Sequence, residues 1–309
     1  MQNHVNSLNQ SPTPSPPDSL LKVWVMASRP KTLTVAVVPV IVGTALAIQA
    51  GMFKPLAALA ALICSILIQI GTNFANDLFD WEKGADIEAR LGPTRVTTAG
   101  LLSPEEVRNG MWLVFGLAAL FGLYLVYVGG WPILAIGVAS ILSGIAYTGG
   151  PYPLGYNGLG DLFVFVFFGV IAVVGTYYVQ ALEVTNIAFM ASVPIGAIAT
   201  AILVVNNVRD VDTDRIVGKR TLAVLLGRNG ARTQYLITML VSYAIPFLLC
   251  LYFGSSLWVL LPLLTLPIAL RLTRIINTRT EGAILNKALA GTAQLLLLYG
   301  MLFAVGLAI

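Results

Sequence analysis

The stretch from residue 55 to residue 86, PLAALAALICSILIQIGTNFANDLFDWEKGAD, decides the fold. From Pro55 to Thr72 it carries no charge. About 20 mainly apolar residues are what an α-helix needs to cross the hydrocarbon core of a bilayer. A membrane β-strand would instead alternate polar and apolar over about 10 residues, so a β-barrel is excluded. Asn73, Asn76, Asp77 and Asp80 then follow without a break. If the helix runs on through them, Asn73, Asn76 or Asp77, and Asp80 share one face.

The apolar texture recurs along the chain. Nine stretches qualify as spans, near 32–50, 55–76, 108–128, 131–148, 161–182, 187–207, 232–253, 256–272 and 285–308. Of the 309 residues 57% are hydrophobic and only 10% charged, against roughly 25% charged in an average soluble domain. So few charges cannot coat a water-facing surface, and so much apolar sequence excludes a disordered chain. The mean hydropathy of +0.85 agrees. The expected class is an all-α membrane protein of nine helices. Residues 1–20, rich in Ser, Pro, Asn and Gln, read as a disordered cytoplasmic tail, and 21–309 as a single domain. The tail lacks the cationic stretch and apolar core of a secretory signal.

Orientation follows from the basic residues. Lys22, Arg29 and Lys31 precede the first span; the other bases cluster after the second, sixth and eighth. All of the 18 except Lys54 fall on one side. The N-terminus is therefore expected in the cytoplasm and the C-terminus outside. The only histidine, His4, lies in the tail, and Cys64 and Cys250 sit in apolar runs. Histidine catalysis, a zinc site and a disulfide framework are excluded on that inventory.

The 14 acids are even less evenly spread. Asp77, Asp80, Glu82, Asp86 and Glu88 follow the second span, and Asp210, Asp212 and Asp214 follow the sixth. Those helices are four spans apart, so both clusters face the same side. In the second cluster Asn207, Asp210 and Asp214 keep helical spacing and share a face, while Asp212 points elsewhere. Two carboxylate-and-amide faces at matched depth repel one another and are costly near a membrane. Divalent cations relieve that, and Mg2+ suits oxygen ligands that bridge to phosphates. Lys83, Arg209 and Lys219 stand beside the acids; a metal site alone would not need them, and they point to a second anionic guest such as a diphosphate. A cation transporter would place its acids near the midplane on broken helices.

These residues resemble the UbiA superfamily of intramembrane prenyltransferases. The resemblance rests on Asn76-Asp77-x-x-Asp80 with Gly84 and Asp86, and on Asn207-x-x-Asp210-x-x-x-Asp214. It includes Ser28-Arg29-Pro30-Lys31-Thr32, Tyr147-Thr148-Gly149-Gly150, Leu159-Gly160-Asp161 and Gly218-Lys219-Arg220-Thr221-Leu222. Gly84 stands where the ubiquinone branch more typically has an aspartate, and the next is Asp86. This favours the 1,4-dihydroxy-2-naphthoate branch of menaquinone and phylloquinone synthesis.

The resemblance implies nine helices around a central cavity under a cytoplasmic cap. It implies a prenyl diphosphate donor held through Mg2+ and a hydroxynaphthoate acceptor that loses CO2, with no nucleic acid and no obligatory protein partner. Asp80, Asp210 and Asp214 would hold the ions, assisted by Asn76, Asp77 and Asn207, with Asp86 a further ligand. Arg29, Lys83, Arg209 and Lys219 would contact the diphosphate. Tyr147 and Asp161 would stand near the acceptor, and Phe165, Phe167 and Phe168 are candidates to face an allylic cation.

Overall fold

The structure, a computed structural model, describes residues 19–85, 92 and 94–309. Residues 1–18 of the expected tail, and Asp86, lie outside the described residues. No strand occurs among the described residues. A short helix α1 (Leu20–Ser28) precedes α2 (Thr34–Gln49), α3 (Pro55–Glu82), α4 (Pro104–Gly129) and α5 (Trp131–Ala146). Then come α6 (Gly160–Ala181), α7 (Asn186–Ile216), α8 (Leu222–Phe253), α9 (Leu257–Thr278) and α10 (Gly282–Ala308). Seven of these, α3, α4 and α6 to α10, are long and apolar enough to cross a membrane. The α1 and α2 segments make an eighth candidate, bent by 53°. Helix α5 is apolar but has 16 residues, about 24 Å at 1.5 Å per residue. The chain is an integral, multi-pass membrane protein.

Both acidic helices run past their apolar stretch. Helix α3 continues through Asn73 to Glu82, and α7 through Asn207 to Ile216. That continuation keeps the helical spacing of the acids, as the sequence predicts. Asp212 turns outward and pairs with Arg228 at 2.8 Å.

Helix α7 is central. Two-thirds of its apolar stretch (67%) is buried within the protein, more than in any other candidate span. Its Ile195, Ile198 and Val205 pack against Val38 and Val42 of α2, Val173 and Tyr177 of α6, Tyr235 of α8, and Leu295 and Tyr299 of α10. Lipid tails are as apolar as these side chains, so association rests on close packing rather than on escape from water. The contact of α6 with α7 shows this. A Cβ on Gly169 would stand 2.6 Å from the Gly196 Cα, and one on Gly196 would stand 2.8 Å from the Phe165 carbonyl oxygen. Two glycines let the backbones touch. In the same place α6 widens into a π-helical stretch over Phe165–Ile171, a distortion found disproportionately at functional sites.

A second core closes the acidic end. Val23 and Ala27 of α1, Phe74 and Leu78 of α3, Val96 and Leu102, and Met111 and Phe115 of α4 are buried together. Trp24 meets Phe74 edge-on at 5.4 Å. Ser103 and Glu106 form a capping box that starts α4, satisfying otherwise orphaned amides. The segment before α4 is thus fixed at both ends, by the cap and by the burial of Val96 and Leu102.

Candidate functional site

The C-terminal turns of α3 and α7 form two walls of one cavity of about 1100 Å3. Asn76 and Asp80 line it from α3; Asn206, Asn207, Arg209, Asp210 and Asp214 line it from α7. The remaining lining is mostly apolar and reaches down α2 to α6 and α10. One end is therefore polar and charged, and the rest suits a hydrocarbon.

Asp80 gathers three side-chain partners. Its Oδ2 pairs with the Arg95 Nη2. Its Oδ1 accepts from the Tyr156 hydroxyl at 2.5 Å and from the Lys219 ammonium at 3.2 Å. Asp80 and Arg95 are both buried, so each ion offsets the other's lost hydration. Lys219 also stands over the Tyr156 ring, 4.5 Å from its centre. The first array is thereby tied to the loop before α6 and to the segment after α7.

Asp210 has a different partner. Arg209 donates from Nε to Asp210 Oδ1 at 2.7 Å and from Nη2 to Oδ2 at 2.5 Å. The same guanidinium donates to Asn286 Oδ1 at 2.6 Å and Asn206 Oδ1 at 2.8 Å. Its planar fork thus fixes the carboxylate's orientation and ties α7 to α10. Asn76 accepts from the Thr148 hydroxyl at 2.9 Å, which fixes that amide beyond the end of α5.

Tyr147 lines the cavity. Its ring fits over two glycines: a Cβ on Gly155 would lie 2.9 Å from the ring, and one on Gly160 2.8 Å from the hydroxyl. Phe167 and Phe168 line the same space, and Phe167 stacks on Phe163 at 5.9 Å. Phe165 is not among the lining residues.

Three other predicted residues stand off the cavity. Asp77 is buried, and its oxygens accept from the backbone amides of Val96 and Thr97 at 3.2 and 3.1 Å. Arg29 approaches it to 3.8 Å while also lining the cavity. Asp77 therefore holds the segment before α4. Asp161 is buried, accepts from the Gln234 amide at 2.9 Å and is not a lining residue. It joins α6 to α8. Lys83 donates to the carbonyls of Thr148 and Gly150 at 2.6 and 3.3 Å. Burial draws its ammonium below the usual lysine range, against the opposing pull of Asp80 and Glu82.

Among the described residues no three His, Cys, Asp or Glu side chains come together closely enough to hold a metal by themselves. The donor set still fits a hard cation. Asp80, Asp210 and Asp214 with the amides Asn76 and Asn207 offer only oxygen-bearing side chains on one cavity. Mg2+ commonly takes one or two protein carboxylates and completes its shell with water and substrate phosphate. Arg95, Tyr156, Asn206 and Asn286 escaped the sequence reading. Arg95, Asn206 and Asn286 carried a signal, a charge or an amide in a polar-poor chain; Tyr156 carried none.

The UbiA prenyltransferase family matches residues 36–289. The 1,4-dihydroxy-2-naphthoate octaprenyltransferase of Escherichia coli (strain K12) is 38% identical over 295 residues, 94% of this chain and 96% of that protein. An apo UbiA homologue from Aeropyrum pernix K1 has the same fold, with a TM-score of 0.69 over 88% of this chain and 97% of that one, at 14% identity. A UbiA homologue from Archaeoglobus fulgidus bound to GPP and Mg2+ gives 0.65 over 93% and 100%, at 13% identity. With a family match across most of its length and a fold shared with solved relatives, the chain belongs to the UbiA prenyltransferase family and is a prenyltransferase.

Proposed function

We propose that this enzyme transfers a prenyl group from a polyprenyl or phytyl diphosphate to the ring of 1,4-dihydroxy-2-naphthoate, releasing diphosphate and CO2, in menaquinone or phylloquinone synthesis. One observation carries the reading: a cavity charged at one end and apolar along its length. Similarity over 94% of the chain to a relative of that name supports the acceptor. The reading includes nine spans, α2 to α10, with the charged end and the N-terminus on the cytoplasmic side of the plasma (inner) membrane, as the basic residues favour.

Asp80, Asp210 and Asp214, with Asn76 and Asn207, would hold Mg2+. When bound, the ion neutralises charge developing on the leaving diphosphate. The chain's own residues do the rest. Lys219 and Arg29 supply further positive charge at the polar end. Arg209 and Arg95 orient the two principal carboxylates. Asp77 keeps the segment with Val96 and Thr97 in place, and Asp161 and Lys83 do the same for the entry to α6 and the exit from α5. The allylic carbon then sits at the start of the apolar lining, where water is scarce and cannot quench the cation. Phe167 and Phe168 present ring faces there. The electron-rich naphthoate carbon forms the new C–C bond, the carboxylate leaves as CO2 with its bonding electrons retained by the ring, and Tyr147 orients the acceptor.

The test is a membrane assay with several aromatic acceptors and labelled prenyl diphosphates. Prenylated product and CO2 from dihydroxynaphthoate are expected, with turnover stopped by chelation and restored by Mg2+. Prenylation of homogentisate or 4-hydroxybenzoate in its place would move the enzyme to another branch.

A further inference from the structure

Helix α3 turns more polar groups toward the cavity than its acidic end accounts for. Gln69, Thr72, Asn76 and Asp80 all line the space and share one face, spaced by three and four residues. Of these four, Gln69 lies deepest in the apolar stretch. At 1.5 Å per residue it is about 10 Å beyond Asn76 and about 16 Å beyond Asp80. It is only 7% exposed. Its Nε2 faces the Thr32 Oγ1 and the Asn73 Oδ1, each at 3.4 Å. Among the described residues its Oε1 has no hydrogen-bond partner. A buried amide oxygen left unpaired costs stability.

Turning the amide over would not cure this. Thr32 donates its one hydroxyl proton to the Arg29 carbonyl at 2.9 Å. Asn73 uses both Nδ2 protons, on the Ser28 carbonyl at 2.8 Å and on Thr32 Oγ1 at 3.1 Å. Both neighbours therefore offer Gln69 only lone pairs. Its NH2 must face them, and its oxygen is left for something else. The two 3.4 Å contacts are long for hydrogen bonds. They decide which way the amide faces without gripping it.

Such an oxygen needs a donor brought by a substrate. A prenyl diphosphate offers acceptors at one end and hydrocarbon at the other. Only the aromatic acceptor brings hydroxyl protons. In 1,4-dihydroxy-2-naphthoate the 1-hydroxyl lies beside the carboxylate and donates to it within the molecule. The 4-hydroxyl has no such partner.

We infer that Gln69 receives the acceptor's 4-hydroxyl on Oε1, and so selects for a ring that carries one. This rests on the dihydroxynaphthoate reading above. Held there, the ring lies along α3 between Gln69 and Asn76. The carbon that bears the carboxylate then faces the start of the apolar lining, where the allylic carbon sits.

The test is equilibrium binding of 1,4-dihydroxy-2-naphthoate and of 1-hydroxy-2-naphthoate, which lacks the 4-hydroxyl. The full chain is held in nanodiscs with Mg2+ and an unreactive prenyl thiolodiphosphate. The unmodified protein is expected to bind the dihydroxy compound about tenfold more tightly, the scale of one hydrogen bond. Gln69→Met keeps the length of the side chain without an amide, and Gln69→Asn draws the amide back by one methylene. In both, the preference is expected to shrink to within about twofold, as the same hydrogen bond is lost. Equal binding of the two compounds to the unmodified protein overturns the inference whether or not the variants fold, and leaves Oε1 to a bound water. A tenfold preference that survives in either folded variant overturns it as well. If neither naphthoate binds the unmodified protein, the dihydroxynaphthoate reading fails, and the inference with it.

Discussion

Lys219 reaches across 139 residues of sequence to Asp80, its ammonium 3.2 Å from the carboxylate Oδ1. One contact thus joins the first acidic array to the segment that follows the second. Arg95 holds the other oxygen of the same carboxylate. The site is organised as two carboxylates, Asp80 and Asp210, each held by its own arginine.

Asp80→Ala should abolish prenyl transfer while the protein still inserts. It removes a proposed ion ligand and leaves Arg95 buried without its anion. Breaking a buried pair in this way costs about 3–5 kcal/mol. Thermal unfolding in detergent checks the stability loss, and product formation in membranes checks the activity. Full activity in this variant would remove Asp80 from the metal assignment.

Arg209→Lys should lower turnover by about 10²-fold, the cost of an ångström-scale misplacement near the chemistry. Lysine cannot reproduce the fork that grips both oxygens of Asp210 while also reaching Asn206 and Asn286. If Arg209 acts by positioning, kcat should fall more than KM rises. A pure KM effect would instead assign Arg209 to donor binding.

Asp77→Ala separates structure from chemistry in the first array. Removing acceptors from two buried amides costs about 1–3 kcal/mol each, so the melting temperature should drop. Below that temperature, turnover per folded molecule should stay within about tenfold of the unmodified enzyme, since the loss is one of stability. A complete loss of turnover in folded protein would place Asp77 among the ion ligands.

Gly196→Val tests the contact of α6 with α7. A Cβ there would lie 2.8 Å from the Phe165 carbonyl oxygen and 3.0 Å from the Gly169 Cα. Both are backbone atoms and cannot rotate aside. Overpacking of this kind costs about 1–3 kcal/mol or more, seen as a lower yield of monodisperse protein and a lower melting temperature.

The apolar runs made the helices legible, because lipid leaves a spanning backbone no choice but internal hydrogen bonding. The periodicity of Asn76 and Asp80, and of Asn207, Asp210 and Asp214, made the two arrays legible, because a helix places residues three and four apart on one face. Helix α1 was not foreseen: it is too short to register as a span and is defined by Val23, Trp24 and Ala27 packing against Phe74 and Gly110.

By itself the sequence determined the solvent, the helical class and the two acidic arrays, all properties of local composition and spacing. Tertiary structure alone decided which members of the arrays face the cavity. Asp77 and Asp80 are three residues apart, yet one accepts backbone amides and the other meets Arg95, Tyr156 and Lys219. Those partners come from segments far away in the chain. A carboxylate's role is set by which donors surround it, and only packing brings such donors to it.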